Sequence, residues 1–191
     1  MEDSALPAKS AQVIERRSVR ALLLNEHAEI LLIRIRSPEG VVFWVTPGGG
    51  VEAGENAVMA LQRELHEELA LQDAAIGPVI WRRHHTYDWG SVRISKREEY
   101  RIVTTRRFLP SMQDADEARW VEDMRWWTLG DLLASREQFT PLTLAVILQD
   151  GQETVRPIRS PTRKCWSTDP PEPRMVPAAL SVLRLRRTGW R

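Results

Sequence analysis

The chain alternates between short apolar runs and polar breaks, and one long stretch has a helical period. Val19–Leu24 is compact and apolar, Asn25-Glu26-His27 reads as a turn, and Ile30–Ile35 is a second apolar run. Such a pair predicts a hairpin, or two adjacent strands of a larger sheet. Ser37-Pro38-Glu39-Gly40 breaks the chain, and Val41–Val45 returns it as a short strand. Pro47-Gly48-Gly49-Gly50 then forces a loop in which glycine permits positive φ and close backbone approach. From Glu55 or Asn56 to about Leu69 the pattern is helical, with Val58, Leu61 and Leu65 as the face that docks on a core.

Further on, Ala74–Arg82 contains a predicted strand, and Arg83–Trp89 alternates polar and aromatic residues. Gly90–Lys96 is expected to be a turn or loop, and Glu98–Phe108 a strand. Pro110–Ala118 reads as an acidic loop. Met124–Leu129 is a last core strand, Asp131–Ser135 a short helix, Thr140-Pro141 a helix start and Leu142–Leu148 the apolar run of that helix. Residues 1–16 form an irregular lead-in, with a short helix expected around Gln12–Glu15. The folded domain is expected over 17–150 and a basic, proline-containing extension over 151–191, poorly ordered by its composition.

Composition adds little to this picture. The 191 residues suit one domain, 28% are charged, and the net charge of +1 gives no global reason to expect nucleic acid or a membrane as partner. The single Cys165 excludes an internal disulfide and a multi-cysteine zinc site. With no long apolar run and no signal-peptide core at the N-terminus, a cytoplasmic location is the expectation.

The chemistry lies in the helical stretch. Glu64, Glu67 and Glu68 stand three and four residues apart, so they share one helix face and repel one another. A hard divalent cation with oxygen ligands would resolve that conflict. The histidine pair His84 and His85 is a weaker metal signal, because adjacent strand residues point to opposite faces. Trp126 and Trp127 could stack on a base, but core packing is the favoured role for at least one.

Gly49, Glu55, Arg63-Glu64-Leu65, Glu67-Glu68 and Ala70-Leu71, at their spacing, resemble the signature box of the Nudix hydrolases. The family's glycine near the end of the box is Ala70 here, which puts the geometry of the helix exit in question but removes no metal-binding atom. The resemblance implies an α/β fold, an α/β/α sandwich with a mixed β-sheet. It implies a Mg²⁺-dependent hydrolase, with Mn²⁺ as a substitute, that cleaves a phosphoanhydride in a nucleoside diphosphate linked to another group. Glu64, Glu67 and Glu68, with the Gly48 carbonyl, would hold the metal, and Arg63 and Glu55 would support them. Glu64 is the box residue expected to share general-base work with metal binding, with Glu67 beside it. A further carboxylate downstream of the box often completes such sites, and Glu98 is the expected one. A nucleotide-type small molecule is the implied partner, and homodimers are common among proteins of this kind. The alternative is a Nudix-like binding or regulatory domain without turnover. No substrate-binding residue can be assigned from the sequence.

Overall fold

The computed structural model describes residues 13–155 apart from 39, 73, 90 and 91. Its strands are β1 (Val13–Leu24), β2 (Ile30–Arg36), β3 (Val42–Val45), β4 (Ala75–Trp89), β5 (Val92–Thr104), β6 (Val121–Trp127) and β7 (Phe139–Thr140). The helices are α1 (Ala57–Leu69), α2 (Ala115–Ala118), α3 (Leu129–Ala134) and α4 (Leu144–Val155). The strands form one mixed sheet in the order β4-β5-β1-β2-β3-β7, with β6 also paired to β2. β1 runs parallel to β5, while β4–β5, β2–β3 and β2–β6 are antiparallel. Helices cover both faces, so the expected α/β sandwich with a mixed sheet is the architecture observed.

Alternation along β1 builds the two cores. Leu22 and Leu24 join Ile30, Leu32, Trp44, Trp127, Leu144 and Leu148 on the face covered by α3 and α4. Val19, Ala21 and Leu23 point the other way and pack with Ala60, Leu61, Leu65 and Leu69 of α1. Each buried leucine of that set contributes about 1.5–3 kcal/mol, enough to fix α1 on the sheet. The anchor differs from the expected trio at one position, since Val58 is only half-buried and Leu69 takes its place. Trp126 and Trp127 are both core residues, at 8% and 2% exposure.

Four local expectations are corrected. Val13–Glu15 is strand rather than helix, because β1 continues backward in register with Arg93–Ser95 of β5. Val92–Lys96 belongs to β5 rather than to a loop, for the same pairing and for its antiparallel match to β4. Thr140 closes β7 against Val45, with a cis peptide to Pro141, and α4 starts only at Leu144 and runs on to Val155. The acidic loop holds a single helical turn, α2, capped by the Asp114 side chain. These are mostly long-range pairings, which local pattern cannot see. The expected basic extension lies outside the described residues from 156 onward.

Candidate active site

The loop from Pro47 to Val51 runs along β1 as a strand would, with Ala21 N–H donating to Pro47, Val19 to Gly49 and Val51 to Arg17. Gly48 is obligatory, and any side chain at Gly49 would displace a neighbour. Gly48 has φ +114°, and a Cβ there would lie 2.4 Å from the Val19 carbonyl oxygen. A Cβ on Gly49 would lie 2.5 Å from Glu64 Oε1, so the Glu64 carboxylate rests directly on the glycine backbone.

Helix α1 follows this loop with Asn56 as its N-cap, accepting from the Val58 and Met59 amides. Its C-terminal cap is Ala70 in the left-handed conformation, φ 53°, with the Ala70 and Leu71 amides bonded back to His66 and Leu65. The helix exit therefore keeps the glycine-type geometry despite the alanine. Between these caps, Glu64 and Glu68 are both 1% exposed, and Glu68 accepts the Gly48 amide at 2.9 Å. Glu67 is one-third exposed and reaches Arg63 at 3.4 Å. Arg63 also donates to Glu55 at 2.5 and 3.1 Å, to Glu64 at 3.0 Å and to the Gly50 carbonyl at 3.0 Å. This guanidinium ties the loop, the helix entry and two box carboxylates into one unit. Its hydrogen bond holds the Glu55 carboxyl below the usual range.

The residue that sequence reasoning passed over is Glu117. It is 4% exposed on α2, and its charge acts on both Glu64 and Glu68. The loop carrying it is fastened to α1, because the Gln113 amide donates to the Glu68 carbonyl at 2.9 Å. Burial raises Glu64 to about 7, with Arg63 opposing and Glu117 adding to the rise. Burial raises Glu68 well above its ordinary value, reinforced by Glu117 and by Glu64. The only available signal was an acid in the loop Pro110–Ala118, where three acidic side chains in close succession would have had to be told apart.

Glu98, expected to complete the carboxylate set, is held elsewhere. It lies on the opposite face of the sheet from α1 and is 3% exposed. It receives Arg83 at 2.5 Å, Lys96 at 2.8 Å and Arg20 at 3.3 Å, and His85 Nε2 lies 3.3 Å away. Burial works against its ionised form, but Lys96 and Arg83, then His85 and Arg20, hold its carboxyl well below the usual range. Lys96 is completely buried, and that burial lowers it to about 8 although Glu98 opposes the shift. Arg20 links this cluster to the loop by donating to the Gly48 and Thr46 carbonyls. His84 and His85 face opposite ways, His84 to Ser95 at 2.9 Å and His85 to Glu98, so they do not form a joint metal site.

The donor chemistry fits a divalent cation: carboxylates buried side by side raise one another's proton affinity, and a hard cation would take the place of those protons. Among the described residues, no three acidic, histidine or cysteine side chains already converge on one point as a ligand shell. Arg63 instead holds Glu64 and Glu67.

The chain belongs to the NUDIX domain family, whose model matches residues 14–147. It is 52% identical over 46 residues to a putative 8-oxo-dGTP diphosphatase 2 of Mycobacterium tuberculosis, covering 23% of this chain and 33% of that one. To an RNA pyrophosphohydrolase of Rhodospirillum rubrum it is 32% identical over 71 residues, 37% of this chain and 41% of the other. These alignments span less than half the length of either relative. The fold resembles the NUDIX domain of Shewanella oneidensis NrtR complexed with ADP ribose, with TM-score 0.56, 19% identity and coverage of 73% and 89%. It also resembles a MutT NUDIX hydrolase from Burkholderia pseudomallei, with TM-score 0.53, 23% identity and coverage of 72% and 98%.

Proposed function

We propose that the protein is a divalent-metal-dependent pyrophosphohydrolase that cleaves a phosphoanhydride in a nucleotide-type substrate. The observation that carries this reading is the burial, beside the Gly48–Gly49 loop, of Glu64 and Glu68, both acted on by the charge of buried Glu117. Diphosphatase and pyrophosphohydrolase names among the relatives point the same way. Glu64, Glu67, Glu68 and Glu117, with the Gly48 carbonyl, would hold the metal. Mg²⁺ bound there, or Mn²⁺ in its place, would neutralise phosphate oxygens and lower the pKa of bound water.

The chain's own contributions follow from geometry. Arg63 fixes the Glu64 carboxylate through Oε1. Glu64, held through Oε1, is placed to take the proton of the attacking water at Oε2. The Gly48 amide orients Glu68, and Arg20 holds the Gly48 and Thr46 carbonyls from behind. Glu98 then has a positioning role: it neutralises the buried cations that brace the loop. The reading replaces Glu98 by Glu117 in the catalytic set.

A binding module without turnover is the competing reading, and the ADP ribose complex of the NrtR domain gives it a precedent in fold. The three buried acids Glu64, Glu68 and Glu117 beside the glycine loop favour hydrolysis. The deciding experiment is a Mg²⁺-supplemented screen of ADP-ribose, dinucleoside polyphosphates, nucleotide sugars and oxidised or ordinary dNTPs, with products separated by chromatography. Metal-dependent product that disappears in Glu68→Gln supports the enzyme; tight binding with no product supports the module.

A further inference from the structure

The first five residues of β1 and the distal halves of β4 and β5 form a three-stranded ribbon. Its residues on the α1 side are largely exposed: Arg17, Arg82, His84 and Arg97. Register places His84 opposite Arg97 and Arg97 opposite Arg17, so three basic side chains stand in one row across the strands. Directly opposed side chains of one sign lie about 5 Å apart and destabilise a sheet. No ion pair joins Arg17 or Arg97 to a carboxylate among the described residues. In the adjoining rows, Glu99 is engaged by Arg101 at 3.0 Å and Arg82 at 3.9 Å, and Glu15 lies opposite Ser95.

This row does not face open solvent alone. It lines a cleft of about 690 Å³ with Val51 and Ala57, at the end of the glycine loop and the start of α1; the acids bordering it, Glu98 and Glu99, are each already paired with arginines. Ser18 borders it too, but its 3%-exposed side chain lies opposite Glu98, on the face of β1 away from the row. The cleft adjoins the catalytic loop, for Ser18 bridges to Gly50, and the Gly50 carbonyl accepts Arg63. A volume of this size suits a nucleotide-sized ligand rather than a protein surface.

We propose that this cleft is a second anion subsite, in which Arg17 and Arg97, with His84, bind phosphate groups of the substrate beyond the anhydride that is cleaved. The inference rests on the hydrolase reading and extends it to substrate class: a nucleotide that carries a chain of phosphates. Those phosphates come from one of two sources, a free nucleotide's polyphosphate or the phosphodiester backbone of a short RNA. Charge complementarity is the argument, since an anion relieves the repulsion that the register builds in. The near-neutral charge of the whole chain concealed it, because Arg17, Arg82 and Arg97 stand together on one face of the ribbon only once its strands pair.

The test compares the parent with Arg17→Ala/Arg97→Ala and with Arg97→Glu, all exposed positions outside the carboxylate site. Two ligands are used: a nucleoside triphosphate and a short 5′-triphosphorylated RNA with the same first nucleotide. KM is measured for both. Binding is also measured by fluorescence anisotropy in a Glu68→Gln background, so that affinity is read without turnover. The expected result is at least about tenfold weaker binding in the double variant, with the salt slope for RNA reduced by about 1.4 for two lost phosphate contacts. Weakening for both ligands assigns the site to the polyphosphate, and weakening for RNA alone assigns it to the backbone. Affinities within twofold of the parent for both ligands, or no binding of either ligand by the parent, overturn the proposal. If the parent hydrolyses nothing but the double variant still loses affinity, the subsite stands and the hydrolase reading falls.

Discussion

Arg20 stands between the Gly48 carbonyl and the Glu98 carboxylate and donates to both. A buried cation thus connects the glycine loop to a carboxylate on the far face of the sheet. Its own affinity for its proton is raised by Glu98 and Tyr100 against the effect of burial. Removing Glu98 leaves Arg20, Arg83 and Lys96 without their shared counter-charge in the interior. Glu98→Ala should lower stability by about 3–5 kcal/mol, measured by urea unfolding. Loss of turnover with unchanged unfolding would instead return Glu98 to the reacting groups.

Glu117→Gln is expected to behave in the opposite way. Its carboxylate opposes the charges of Glu64 and Glu68, so neutralising it relieves repulsion and should leave stability equal or higher. Turnover should fall by two orders of magnitude or more, as for Glu68→Gln, with weaker divalent-cation affinity. Steady-state kinetics and a metal titration check this. A variant with parental kcat would remove Glu117 from the site.

The acid cluster gives a signed pH dependence. Glu64 has an ordinary value of 4.5 and a folded value of about 7. Between these the folded chain keeps a proton that the unfolded chain has released. The stabilisation is therefore complete below about 4.5 and is lost as pH rises through 7, and Glu68 acts in the same direction. In chelator, stability should drop by on the order of 2 kcal/mol from pH 5 to pH 7.5, and added Mg²⁺ should restore much of it at the upper end. Glu64→Gln should flatten the curve. A stability profile that is level in chelator contradicts the burial of ionisable Glu64.

Ala70 allows a stabilising change. With φ 53° it bears the strain of a side chain in the left-handed region. Ala70→Gly should raise stability by roughly 1 kcal/mol with unchanged kinetics, seen as a higher thermal midpoint. A lower midpoint would mean that the greater freedom of glycine in the unfolded chain outweighs the relieved strain.

Gly49→Ala tests the loop in isolation. The new Cβ would fall 2.5 Å from Glu64 Oε1, so the carboxylate must move. Turnover is expected to fall at least tenfold, with only a small loss of stability because the contact is a side-chain end rather than backbone. Parental activity would show that the Glu64 position is not critical.

Much of this was legible in the sequence for a local reason. The box residues of α1 are close in the chain, and helix geometry alone brings Glu64 and Glu68 to one side. The partnership of Arg63 with Glu55 was legible too, since both border the same helix entry. What escaped depends on contacts between remote segments. The strand character of Val13–Glu15 and Val92–Lys96 exists because β1 and β5 pair in parallel, a match that neither segment announces. Glu98 and Glu117 could not be ranked for a related reason. Both are acids downstream of the box, and only the sheet face of one and the loop anchorage of the other separate them. The basic row was invisible because His84, Arg97 and Arg17 come from three strands.

The bond from the Gln113 amide to the Glu68 carbonyl makes the site an indicator of complete folding. Residues 48, 68 and 117 come from three stretches of chain, and the last is delivered only when the loop closes on the end of α1. A nick near Leu109, which is 92% exposed, would unfasten that delivery. Such a clipped protein would keep its helices and its box, and lose its chemistry.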